Sequence, residues 1–253
     1  MKRFSKLELG DKSPGRKSPP PHGEPLRSAE YFAGEGLRFW LAGDFEPALR
    51  NYCRALEQNS IFFPAWLGQV LMLIELGEYR EAVLWADKAL EMFPEHPELL
   101  AAKAIACARD GKMDKAIAYS DNSIAMNNAA PLVWLARAEV LLNRKNHIFE
   151  SCISKAVALA ANDGLIVRLW AGRLLNQNGN FPAALKYLQS AIEHLPKSAL
   201  AWYELGFCQA ALGRPQAAAS LRQCVKLRPH WIAAEDALRK CETKGFWSRL
   251  LGK

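Results

Sequence analysis

Cysteine and histidine offer the widest chemistry of any side chains, and the 253-residue sequence holds six of the first and five of the second. Cys53, Cys107, Cys152, Cys208, Cys224 and Cys241 form no CxxC pair. Each lies in a segment of helical apolar spacing, so buried or half-buried free thiols are expected rather than a metal set or a disulfide framework. His22, His96, His147, His194 and His230 are equally scattered, with no HxxxH or other metal-ligand spacing. The sequence also has no glycine loop of the phosphate-cradling type, no nucleophile elbow, and no carboxylate pair tied to a cleft. No catalytic role, cofactor or metal is implied, and the chemistry left to this chain is recognition.

Charge narrows the partner. The net charge is +7, which invites a nucleic-acid reading, so its location matters. Residues 1–27 hold seven Lys/Arg against three Asp/Glu, and residues 231–253 hold five against three. Subtracting these from the whole-chain 33 and 26 leaves 21 against 20 for the body. A neutral body argues against a basic groove that tracks phosphates, and hence against a nucleic-acid reader. Half of the residues are apolar, enough for a sizeable core, yet no run approaches the roughly 20 apolar residues of a membrane-spanning helix. The start MKRFSKLELGDKSPGRKSPPP lacks the apolar centre of a signal peptide, which places the expected location in the cytoplasm or nucleus.

The elements that position any recognition surface repeat. Stacking the sequence every 34 residues from Ala29 aligns Gly43, Gly77, Gly111, Gly179 and Gly213. Five places on stand Ala48, Ala82, Ala116, Glu150, Ala184 and Ala218, and seven further Ala55, Ala89, Ser123, Val157, Ala191 and Val225. Pro94 and Pro196 close two units in register, with Pro229 one place early. Between the columns apolar residues recur at helical spacing, as in Trp66, Val70 and Leu73, then Tyr79, Ala82, Val83, Ala86, Ala89 and Leu90. Two helices per unit follow, parted at a glycine that can take the left-handed conformation ending the first, with proline after the second. One pair of such short helices cannot bury its apolar face alone, so neighbouring pairs must stack.

This unit resembles the tetratricopeptide repeat. The likeness rests on the glycine, the two small-residue columns and the closing proline. It also rests on the aromatic or apolar residues Phe32, Trp66, Leu100, Trp134 and Trp202 and the small residues Gly36, Ala104, Ala138, Gly172 and Gly206. Six units are expected, at 29–62, 63–96, 97–130, 131–164, 165–198 and 199–230, after a basic proline-rich leader of residues 1–28. The fold class implied is an all-α, right-handed superhelical solenoid, with residues 231–242 as a capping helix and 243–253 as a basic amphipathic tail. Unit four departs: Lys145 replaces the glycine, Glu150 the alanine and Asn162 the proline, so its second helix is expected to shift by one residue, by drift or as a hinge.

Proteins of this family bind other proteins along the concave wall formed by the first helices. Carried onto this sequence, the resemblance points to Leu37, Trp40, Leu41, Leu67, Leu71 and Ile74 in the first two units. Ile105, Arg109, Leu135 and Glu139 follow in the middle, then Trp170, Arg173, Asn176, Tyr203 and Phe207. A branch of the family clamps a chaperone's C-terminal carboxylate with Lys, Asn and Arg. Here those places carry Leu67 and Leu71, or Ala101 and Ala102, so that clamp is absent. The expected partner is an extended or helical peptide whose anchors contribute about 1.5–3 kcal/mol each when buried. The competing reading is that Leu37, Leu71 and Ile105 are covered by a neighbouring unit, by the chain's own tail, or by self-association as an assembly subunit.

Both tails have readable chemistry. Residues 1–27 carry Pro14, Pro19, Pro20, Pro21 and Pro25, expected to be disordered, with Lys-Ser-Pro at Ser13 and Ser18, which would suit a proline-directed kinase or serve only as a solvated leader. The end KGFWSRLLGK spaces Phe246, Trp247, Leu250 and Leu251 among basic residues, a short amphipath for a membrane surface, a partner, or the array itself.

Overall fold

A computed structural model describes residues 27–126, 130–160 and 164–250; residues 1–26 of the leader, with Ser13 and Ser18, and the last three residues lie outside the described residues. The described residues contain thirteen helices and no strand, an all-α repeat. The helices pair as α1 (Ala29–Leu41) with α2 (Phe45–Gln58), α3 (Phe63–Glu75) with α4 (Tyr79–Met92), and α5 (Pro97–Arg109) with α6 (Met113–Ala125). Then come α7 (Pro131–Asn143) with α8 (Phe149–Leu159), α9 (Gly164–Gln177) with α10 (Phe181–His194), and α11 (Ala199–Ala211) with α12 (Ala217–Leu227). The helix α13 (Ile232–Leu250) packs on α12 and α11. It runs on through positions 243–250, whose side chains from 244 onward lie outside the described residues.

The turn inside each pair is built six times in the same way. At the first, Gly43 N–H donates to the Trp40 carbonyl and Asp44 N–H to the Phe39 carbonyl, and the same two bonds recur at 77/78, 111/112, 145/146, 179/180 and 213/214. The residue between them must take positive φ, which glycine adopts at little cost: Gly43 at +80°, Gly77 at +79°, Gly111 at +76°, Gly179 at +74° and Gly213 at +65°. Lys145 takes the same conformation at +53°. The turn of unit four is therefore kept without its glycine, and the strain is carried by a residue with a Cβ.

The alanine columns are the seam between paired helices: Ala48, Ala82, Ala116 and Ala184 are fully buried. In unit four the buried residues are Phe149, Cys152, Ile153 and Ala156, one place early, as expected for that unit. Unit six differs from its expected register. Ala217 and Cys224 are buried there, while Ala218 and Val225 are half-buried. Units four and six share a cause: the apolar residue that opens the second helix elsewhere (Phe45, Tyr79, Met113, Phe181) is His147 or Pro215 here. Without that anchor α8 and α12 start two residues later, after a single turn, and rotate to bury the preceding residue.

First helices form an inner layer, with α1, α3, α5, α7, α9 and α11 each touching the next, and second helices lie outside. The layer curves until its ends meet, α1 against α11. The Ser198 hydroxyl donates to the Leu41 carbonyl (2.7 Å), and Arg228 donates to the Gly43 carbonyl (3.0 Å) and pairs with Asp44. Trp231, tilted against Tyr203 with ring centres 4.6 Å apart, sits where a side chain at position 43 would lie.

Candidate partner-binding surface

The inner wall divides by chemistry. In its first half Leu37 is 36% exposed, Leu41, Leu67 and Leu71 are half-buried, and Trp40 and Ile74 are buried. The Trp40 ring lies 6.0 Å from that of Trp170, which is half-buried across the turn of the stack. Ile105 and Leu135 are buried between neighbouring helices. Tyr203 is half-buried, and Phe207, on the helix that meets α1, is 40% exposed and stacks with Tyr203 at 6.3 Å. Leu37, Leu41, Leu67, Leu71 and Phe207 thus remain within reach of a partner; Trp40, Ile74, Ile105 and Leu135 do not.

The second half is ionic and its charges are paired within the chain, with the buried Asn176 Oδ1 left without a hydrogen-bond partner. Arg173 of α9 forks between Glu75 of α3 (2.5 and 2.9 Å) and Glu204 of α11 (2.9 Å), spanning the interior, and all three side chains are more than nine-tenths buried. Asn176 donates to the Glu204 carboxylate at 2.9 Å. Arg109 of α5 pairs with buried Glu139 of α7 at 2.6 Å and donates to Gln177 of α9 at 3.2 Å. Bidentate arginine pairs of this kind are the strong class of charge-assisted bond. Burial pushes the Glu75 carboxyl up, but the Arg173 guanidinium beside it more than offsets this and holds it below the usual carboxylate range. Burial lowers the Arg173 and Arg109 guanidiniums, and their carboxylate partners raise them above the ordinary arginine value. At one mouth Arg109, Glu139, Asn143 and Gln177 line a polar cavity of about 250 Å³.

Sequence reasoning named Arg109, Glu139, Arg173 and Asn176 as wall residues but missed Glu75, which joins them. Its signal was available, since position 75 is in register with Arg109 and a buried arginine requires a carboxylate. The closing residues Asp44, Ser198, Arg228 and Trp231 carried no local signal. Thiols are free, with Cys107, Cys152, Cys208 and Cys224 buried. Burial pushes Cys208 up to about 11 and Cys224 up to about 12, so neither is a nucleophile near neutral pH. No described helix is long and apolar enough to cross a membrane.

The family model described as "Tetratricopeptide repeat" matches residues 34–97, 73–131 and 169–229, more than half of the chain. The sequence is 37% identical over 59 residues to an uncharacterized protein of Methanocaldococcus jannaschii, covering 23% of this chain and 69% of that one. It is 25% identical over 196 residues to the Hsp70-Hsp90 organizing protein of Triticum aestivum, covering 74% of this chain but only 33% of that protein, a third of its length. Among solved structures, a thermophilic tetratricopeptide repeat protein of Thermus thermophilus superposes with a TM-score of 0.54 at 18% identity. That match covers 73% of this chain and 99% of the other, a likeness of fold.

Proposed function

We infer, from the premise that this chain belongs to the tetratricopeptide repeat family, that it is a non-catalytic scaffold binding a protein partner, as a peptide or helix, on the apolar half of its inner wall. The observation that carries this reading is the contrast just described: Leu37, Leu67 and Leu71 keep accessible apolar surface, while the arginines and carboxylates opposite are consumed by one another. An apolar stripe in a curved helical wall suits side-chain anchors spaced along a helix or an extended strand. The wheat relative, an Hsp70-Hsp90 organizing protein by its name, is consistent with a scaffold role, though this chain matches only a third of it.

The test is affinity copurification from the source cell with wild type and with Leu37→Glu/Leu71→Glu, after circular dichroism shows both folded. Both positions are accessible, so the charges should leave the fold intact. Partners lost only from the double variant would place binding on this wall. An unchanged partner set would move it to another face. A second reading, in which copies of the chain bury the same surface, is separated by sedimentation: a dimer that the double variant dissociates would establish it.

A further inference from the structure

The stack of described helices begins at the outer face of unit one, and its chemistry differs from that of later units. There Tyr31, Glu35 and Phe39 of α1, spaced one turn apart, meet Arg50 and Arg54 of α2, and with Arg27 they border a cleft of about 350 Å³. This side of α1 is opposite the one that carries Leu37 and Leu41 to the inner wall. In later units the residues in register with Tyr31 and Phe39 are buried, as Leu99 and Cys107 on α5 and Val133 and Leu141 on α7, helices against which α4 and α6 pack. At unit one Tyr31 is 44% exposed and Phe39 half-buried.

The interior of the stack shows what such a face accepts. In units three and four the residues in register with Glu35 are Lys103 and Arg137, and each holds an aspartate of the preceding second helix, while units two, five and six bury Gln69, Ala171 and Leu205 there. Lys103 Nζ meets Asp87 Oδ1 at 2.5 Å, and Arg137 Nη1 meets Asp121 Oδ1 at 2.5 Å. Asp87 and Asp121 occupy the same place in α4 and α6. At unit one Glu35 is held by Arg38 (2.7 Å) and Arg27 lies over the Tyr31 ring (4.9 Å), leaving Arg50 and Arg54 in excess. Arg50 reaches Glu46 only at 3.9 Å, and Arg54 has no ion pair among the described residues.

We propose that this face docks an acidic amphipathic helix of a partner protein, seated where the second helix of a preceding unit would lie. Its apolar stripe covers Tyr31 and Phe39, and its carboxylates pair with Arg27, Arg50 and Arg54. Charge complementarity selects this occupant. The chain's own residues 1–26 carry six Lys/Arg against three Asp/Glu and five prolines, so they are repelled by the arginines and unsuited to a helix. The α13 of a second copy is also more basic than acidic, with Arg239, Lys240, Lys244 and Arg249 against Glu235, Asp236 and Glu242.

The experiment is fluorescence anisotropy of the full-length chain with a panel of labelled helical peptides bearing a leucine stripe flanked by Asp and Glu. A matched panel carries Asn and Gln instead. The acidic peptides should bind, and the amide peptides and the variant Arg50→Gln/Arg54→Gln should each bind about tenfold more weakly or worse. Both arginines are exposed, so the variant keeps its fold. Leu37→Glu/Leu71→Glu should leave the affinity within about twofold, which separates this face from the inner wall. A photo-cross-linker at Tyr31→p-benzoylphenylalanine should mark the peptide. No binding by the acidic panel, equal binding of the two panels, or an unchanged affinity in the arginine variant would overturn the proposal. Cross-links from position 31 to residues 1–26 or to a second copy while acidic peptide is present would overturn it too.

Discussion

The two halves of the inner wall use one scaffold to opposite ends. From α1 and α3 it presents leucines that water still reaches; from Glu75 at the end of α3 and from α5 to α11 it presents arginines and carboxylates that close on each other across the interior. An apolar side chain left half-exposed is cheap to keep and available to a partner. A buried charge is tolerated only with its partner in place, so the ionic half holds the curvature of the stack at the expense of access.

The largest effect should come from breaking the ionic half. Arg173→Met strands Glu75 and Glu204 in a buried site and should cost about 3–5 kcal/mol in urea unfolding. A loss below about 1 kcal/mol would mean that water reaches both carboxylates. Next, Gly111→Val, at the end of the helix that carries Arg109, should cost about 1–3 kcal/mol. No atom stands near the added Cβ, so the whole cost is backbone strain at φ +76°.

Acid should act on the same half. The Glu75 carboxyl is held low in the folded chain, so its contribution is present above the ordinary glutamate range and is lost as pH falls through its folded value. Stability should drop below about pH 4, and more steeply in wild type than in Glu75→Gln. A gain of about 0.5–1 kcal/mol is expected from Lys145→Gly, which relieves positive φ at the end of α7. The smallest effect belongs to the apolar half. Leu37→Glu should change stability by less than about 0.5 kcal/mol while weakening the partner binding proposed for this wall, and a larger loss would show that Leu37 is core.

Much of this was readable from spacing alone. Helix pairs, the turn glycines and the alanine seam are local features, because a turn that requires positive φ selects glycine wherever it recurs. The shift in unit four was visible in Lys145 and Glu150, whereas the same shift in unit six was hidden. Ala217 and Ala218 are both small, and either could fill the seam. Wall position was legible from register for Arg173 and Glu139, but burial was not, since an arginine at that place is compatible with an open groove or with a sealed one.

The amino-acid sequence by itself determined the repeat, its six turns and the helix faces that must pack, since each depends on residues within one unit of one another. Only the tertiary structure decided that α1 meets α11, that Arg173 reaches Glu75 ninety-eight positions away, and that the leucines of the inner wall keep exposed surface while its arginines and carboxylates pair. Curvature is the physical reason. A small rotation at each unit accumulates over six, and whether the ends touch depends on that sum rather than on any single contact.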